Sequence, residues 1–300
     1  MNAATRVVIH GITTAYAQSQ LPIMRRAGTR IVAGVSLGQG GSSHDGVPVF
    51  DTVAAAVAAT GATAALSFAP ARGAAEAVLD CVAAGLGLIV CAAENVPLHD
   101  ALKAVNAARA AGAWLVGPNT LGMAIPGQGM LGAFATDFLI PGPVGVISRS
   151  GSLTANTVRH LALAGCGQSA CIHMGGDYLC GRNPGEYLEM FEADPETRVI
   201  AYCGEIGGTK EYDVVRRRAG FRKPLVAMIA GRSAPRGKRL GHAGALVLGD
   251  RDTAAAKLAA LADAGVHVAH TLAELAQLCR RLTTVTAPAA ATAPSAPGAA

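Results

Sequence analysis

Charged and aromatic side chains are both scarce in these 300 residues, at 15% and 4%. The net charge of +5 is small and scattered, and no basic run is interleaved with aromatic rings, which argues against nucleic acid as a partner. No apolar run approaches the roughly 20 residues needed to cross a bilayer, so no membrane span is expected. The start, Met1-Asn2-Ala3-Ala4-Thr5, has neither a basic segment followed by an apolar one nor an Arg-rich presequence. The seven cysteines form no Cys-x-x-Cys pair and lie mostly in apolar stretches. They read as reduced core residues of a cytoplasmic protein, not as disulfides or metal ligands. His160, His173, His267 and His270 lack clustered acidic or cysteine partners, so no metal site is expected. Nucleotide fingerprints are incomplete as well. The turn Gly11-Ile12-Thr13-Thr14-Ala15-Tyr16-Ala17 keeps only the first glycine of a dinucleotide motif. The stretch from Gly231 to Gly237-Lys238 is one residue too long for a Walker loop, and Arg239 stands where Ser or Thr is required.

What is abundant is apolar surface and glycine: 51% hydrophobic residues and 37 glycines. That composition can bury a large core, and the length favours two domains. Short β-branched or apolar runs at 6–10, 30–35, 64–68, 88–91 and 114–116 alternate with helical patterns at 18–27, 52–59, 74–84 and 97–111. Such alternation predicts right-handed crossovers and a parallel sheet covered on both faces, with ligands at the carboxyl ends of the strands. A Pro/Gly-rich region over 126–143 interrupts the pattern, and the boundary is placed at residue 123. Strands at 144–148, 169–173, 199–204, 225–229 and 266–267 then alternate with further helices up to Arg281. From Thr286 onward only Ala, Pro, Ser, Thr and Gly remain, which predicts a disordered tail. The expected division is therefore 1–123, 124–285 and 286–300.

Two polar residues stand out in the second half. His242, in Gly241-His242-Ala243-Gly244, sits on a backbone with little side-chain bulk, and Arg232, Arg236, Lys238 and Arg239 make its approach cationic. That setting suits phosphoryl or proton transfer, although a loop histidine among glycines explains the same letters. Glu205 leaves an apolar strand in Gly204-Glu205-Ile206-Gly207-Gly208 and is a candidate partner for His242 Nδ1–H, which would leave Nε2 as nucleophile. The alternative is an unpaired loop carboxylate. Ser150-Gly151-Ser152 opens a helix and offers either an anion site or ordinary N-capping.

In register with these residues, further stretches resemble the α subunit of succinyl-CoA synthetase (succinate–CoA ligase) over nearly all of 5–282. They include Gly117-Pro118-Asn119, Ser148-Arg149-Ser150-Gly151-Ser152-Leu153-Thr154, Gly175-Gly176-Asp177, and the run from Ala234-Pro235 to Ala245. The resemblance implies an α/β fold with a Rossmann-like CoA-binding domain followed by a flavodoxin-like ligase domain. It implies that His242 is the transiently phosphorylated histidine, that Glu205 holds it, and that Ser150, Gly151 and Ser152 bind the phosphate. Gly11, Thr13, Thr14, Ala15, Tyr16, Gln39, Ala93 and Glu94 would line coenzyme A. A separate ATP-grasp β subunit would bring ATP or GTP with Mg²⁺. Departures from the family pattern are Thr14 and Ala17 in place of glycines, Gln39 in place of lysine, Tyr178 in place of proline, and Ala155 in place of a tyrosine near the acid substrate. Succinate is the expected acid, with a larger acid fitting the space at Ala155. The competing expectations are a malate–CoA-like ligase, an impaired CoA-binding paralogue, and a nicotinamide oxidoreductase.

Overall fold

A computed structural model describes residues 1–238, 241–242 and 244–285. The 286–300 tail expected to be disordered lies outside the described residues.

The first sheet holds β1 (Arg6–His10), β2 (Arg30–Val35), β3 (Ser43–His44), β4 (Val47–Phe50), β5 (Ala64–Ser67), β6 (Leu88–Cys91) and β7 (Trp114–Val116), in the order β3-β4-β2-β1-β5-β6-β7. All of its pairings are parallel except the β3–β4 hairpin. Its helices are α1 (Ala15–Arg26), α2 (Val53–Thr60), α3 (Ala74–Ala83) and α4 (Leu98–Ala110). Side chains alternate across each strand and so sort into two layers. Val8, Ala33, Ala65, Ile89 and Leu115 pack with α2, α3 and α4. Val7, Ile9, Leu66, Val90 and Val116 belong to a second cluster that takes in Ala17, Leu21 and Met24 of α1. This second cluster continues into the other half of the molecule. Helix α1 starts at Ala15, three residues earlier than its apolar pattern suggests, because the Thr14 hydroxyl caps it by accepting from Ala17 N–H at 3.2 Å.

The chain passes to the second sheet over 117–121. That sheet holds β8 (Gly122–Ile125), β9 (Gly129–Gly132), β10 (Pro141–Ser148), β11 (Gln168–His173), β12 (Val199–Glu205), β13 (Leu225–Ala230) and β14 (His267–Val268), in the order β14-β13-β12-β10-β11-β8-β9. Helices α5 (Gly151–Leu163) and α9 (Leu272–Val285) lie side by side, and α6 (Pro184–Ala193), α7 (Lys210–Arg217) and α8 (Ala254–Asp263) form a row. The antiparallel β8–β9 hairpin falls partly in the region read as an irregular boundary. Its glycines serve close strand pairing: a Cβ at Gly122 (φ +100°) would lie 1.8 Å from Leu131 O, and one at Gly132 (φ +140°) 1.8 Å from Leu121 O. Thr29 ties the hairpin to the first sheet, its hydroxyl donating to Met130 O at 2.6 Å and accepting from Met130 N–H at 2.9 Å.

Candidate active site

Strand β12 is buried along its whole length, and its last residue delivers a carboxylate into the interior: Glu205 is 5% exposed. After β13 the chain turns at Gly231 and folds back over that strand end, anchored by buried Ala245 and Val247. The loop closes so tightly that a Cβ at Gly207 (φ +80°) would fall 2.0 Å from Gly244 O. Only glycine permits this approach. The result places His242 Nδ1 2.8 Å from Glu205 Oε2. With Nδ1–H donated to the carboxylate, Nε2 is the nitrogen left with a lone pair. The Glu205 hydrogen bond raises the His242 pKa above its ordinary value, against the opposing effect of burial. Asp177 adds to the rise and Arg149 opposes it.

Behind Glu205 lies an ion network that the sequence reading did not find. Arg149, buried at 2% exposure, places Nη2 3.1 Å from Glu205 Oε1 and Nη1 2.8 Å from Glu211 Oε1. Lys257, fully buried, donates from Nζ to Glu211 Oε2 at 2.5 Å, Glu205 O at 2.9 Å and Gly207 O at 2.6 Å. Tyr202 Oη donates to Glu211 Oε1 at 3.1 Å. Burial alone would raise the Glu211 pKa, but Arg149 and Lys257 hold it below the ordinary carboxylate value. Burial lowers the Lys257 pKa, with Glu211 opposing. A sequence signal existed for Lys257: it falls in the buried stripe Ala254, Lys257, Leu258, Leu261 of α8, where a solvated lysine has no place.

In front of the ring stands the N-terminus of α5. The Ser150 side chain caps none of the helix amides and instead lies 3.3 Å from Ser152 Oγ, which leaves first-turn N–H groups without a side-chain cap where Ser150, Gly151 and Ser152 line the clefts at the ring. His242 is a wall shared by two clefts. One, of about 300 Å³, is lined by Ser150, Ser152, Glu205, Gly231, Gly241 and Ala245. The other, of about 410 Å³, is lined by Tyr16, Glu94, Asn119, Gly151, Ser152 and His173. His173, also missed as a site neighbour, accepts from Leu121 N–H at Nδ1 (2.8 Å) and donates from Nε2 to Arg149 O (3.2 Å). Burial pushes its pKa down to about 4. A Cβ on Gly176 would sit 3.2 Å from His242 Cδ2, so this glycine packs directly against the ring.

The candidate cofactor residues lie at the carboxyl edge of the first sheet. Gly11 and Thr13 to Tyr16 lead from β1 into α1, Gln39 follows β2, and Ala93 and Glu94 follow β6. Tyr16 and Glu94 line the larger cleft together with His242; Gln39 is exposed on a loop and lines neither cleft. Ala17 is fully buried in the core, and Thr14 Oγ1 folds back to donate to Gly11 O at 2.9 Å. Half-buried Ala155 lies within α5 and lines neither cleft. The cleft that runs from Tyr16, in the first turn of α1, to the imidazole suits an elongated ligand. Among the described residues no cluster of potential ligands could hold a metal ion.

Comparison with known proteins finds two family matches along the chain. The CoA-binding domain family matches residues 2–95, and the succinyl-CoA ligase like flavodoxin domain matches 141–282. The α subunit 1 of succinate–CoA ligase (ADP-forming) of Archaeoglobus fulgidus is 44% identical over 268 residues, covering 89% of this chain and 92% of the relative. The corresponding α subunit of Aquifex aeolicus is 41% identical, covering 89% of each chain. Among solved structures, ATP citrate lyase from Methanothrix soehngenii in complex with citrate and coenzyme A superposes with a TM-score of 0.86 over 95% of this chain. This chain spans 50% of that protein's length, and at 24% identity the likeness shows the fold alone.

A CoA-binding sheet that opens onto the same cleft as an imidazole–carboxylate pair on a flavodoxin-like sheet defines an acid–CoA ligase subunit. Within that class, the chain belongs to the succinate–CoA ligase α-subunit family. It is a ligase subunit that carries a CoA-binding domain.

Proposed function

We propose that this chain is the catalytic α subunit of a nucleotide-dependent succinate–CoA ligase in which His242 carries the phosphoryl group. The observation that carries this reading is the His242 Nδ1 to Glu205 Oε2 contact of 2.8 Å, on a ring that walls two clefts. A nucleoside triphosphate, ATP or GTP with Mg²⁺ on an ATP-grasp β subunit, would supply the phosphoryl group and leave as the diphosphate, and coenzyme A would supply the thiol that takes the acyl group from the acyl phosphate with release of phosphate. Neutral His242 accepts the phosphoryl group on Nε2 while Nδ1–H stays donated to Glu205, whose charge stabilises the positive ring. Phosphohistidine carries about two negative charges. The α5 amides with the Ser150 and Ser152 hydroxyls offset them through the helix dipole and direct hydrogen bonds. His242 then passes the group to a carboxylate oxygen of the acid and returns to neutral imidazole.

Residues 1–123 hold the cofactor through the β1–α1 turn and the loops at Gln39 and Ala93-Glu94, and 124–285 perform the transfer. Succinate is the proposed acid. All seven cysteines are free and buried, which suits a reducing cytoplasm. Incubation of the complex with γ-labelled triphosphate should put acid-labile, base-stable phosphate on this chain, and none on His242→Asn. Label persisting in that variant, or no label on the wild-type chain, would sink the reading.

A further inference from the structure

The network behind Glu205 is balanced in charge: Arg149 and Lys257 against Glu205 and Glu211, all at or below 5% exposure. Glu205 is shared. Its Oε2 faces His242 at 2.8 Å and its Oε1 faces Arg149 at 3.1 Å, so the buried guanidinium competes with the imidazole for one carboxylate. Glu211 draws that competitor away. It takes Arg149 Nη1 at 2.8 Å and Lys257 Nζ at 2.5 Å, and accepts the Glu205 backbone N–H at 3.3 Å. The two cations in turn clamp the strand end, Lys257 on the carbonyls of Glu205 and Gly207, and Arg149 on Gly207 O at 3.3 Å.

We propose that Glu211 and Lys257 are positioning residues that set how much of the Glu205 charge reaches His242, Glu211 by neutralising Arg149 and Lys257 by balancing Glu211. The proposal rests on the phosphohistidine reading above. Among the described residues, the charged and titratable groups around the ring are Glu205 on β12, Arg149 ahead of α5, Asp177 after β11, and His173 on β11. Neither Glu211 nor Lys257 lines a cleft at the ring, so both act through Glu205.

Opposite signs are the signature. Glu211→Gln leaves two buried cations facing one carboxylate, which disfavours a proton on His242 and moves the acid limb of its phosphorylation to lower pH. Lys257→Met leaves two carboxylates facing one cation and moves the limb to higher pH. Shifts of about one pH unit are expected from unit charges at this depth. The double variant, with one cation and one anion again, returns the limb to the wild-type position. The readout is the pH profile of His242 phosphorylation in the complex with the β subunit, using labelled triphosphate. Limbs that stay at the wild-type pH in the single variants, or shift in the same direction in both, overturn the proposal. A variant that does not fold leaves the sign of the other single variant to decide. Failure of the underlying reading shows separately, as absence of labile phosphate on the wild-type chain.

Discussion

At the scale of single residues, the role proposed for His242 turns on one hydrogen bond, to Glu205. The raised His242 pKa means that neutral Nε2 appears only as pH climbs through that value, so phosphorylation should rise along an acid limb. Glu205→Gln removes the anion that raises it, and the limb should move to lower pH. The amide can also donate to Nδ1 and so fix the wrong tautomer, so the plateau rate should fall on the order of 10²–10⁴-fold. An unchanged limb and plateau would refute the assignment of Glu205. The same pair links to folding with a definite sign. Because the folded pKa is the higher one, its contribution to stability is complete below the unfolded value and is lost as pH rises through the folded value. His173 behaves in the opposite way. Its folded pKa of about 4 lies below the unfolded value, so its contribution is present at neutral pH and is lost as pH falls towards 4. Wild-type stability relative to His173→Gln should therefore drop by about 2 kcal/mol between pH 7 and pH 5. Urea titrations at both pH values test this, and equal differences at the two would rule it out.

At the scale of elements, the β8–β9 hairpin is held by its neighbours and not by its own sequence. Thr29→Val has the same shape but removes both hydrogen bonds to Met130 and leaves a buried N–H and C=O without the hydroxyl. A loss of about 1–3 kcal/mol is expected, measured by denaturant unfolding; a loss below about 0.5 kcal/mol would show that the hairpin finds other partners. This hairpin also marks where sequence reading stops. Runs such as Val199–Glu205 or Arg6–His10 declare themselves because a buried parallel strand is apolar on both faces. Gly122–Ile125 and Gly129–Gly132 carry no alternation, and their glycines look like loop residues until the backbones are seen in contact. The pairing of His242 with Glu205 could be suggested from the sequence because both residues interrupt small-residue stretches. Glu211 could not, because Lys210–Arg217 reads as a charged surface helix and nothing local shows that its second residue turns inward. A buried charge must be paired and hydrogen-bonded; the partners of Glu211 come from distant segments, Ser148 to Ser150, β12 and α8, and spacing within one element carries no trace of them.

At the scale of the molecule, the two sheets share one core. The cluster that includes Val7, Ile9 and Leu66 of the first sheet continues through Met123, Met130 and Leu131 to Val146 and Ile172 of the second. Polar contacts reinforce the seam: Arg109 pairs with Glu186 at 2.8 Å, and Arg182 donates to Ala113 O at 2.9 Å while its guanidinium stacks over Trp114 at 4.9 Å. Such a seam resists independent melting of the halves, because exposing one face uncovers the other. The larger cleft draws its walls from both sides of this seam, Tyr16 and Glu94 from the first sheet and Gly151, Ser152 and His242 from the second. Coenzyme A bound along the first sheet should therefore stabilise the whole chain and not only its first half. At a free concentration 100 times the dissociation constant, the gain is about 2.7 kcal/mol. In calorimetry a single unfolding transition should move upward as one peak. Two resolved transitions, with coenzyme A shifting only the earlier, would mean that the shared core is too weak to couple the first sheet to the sheet that carries His242.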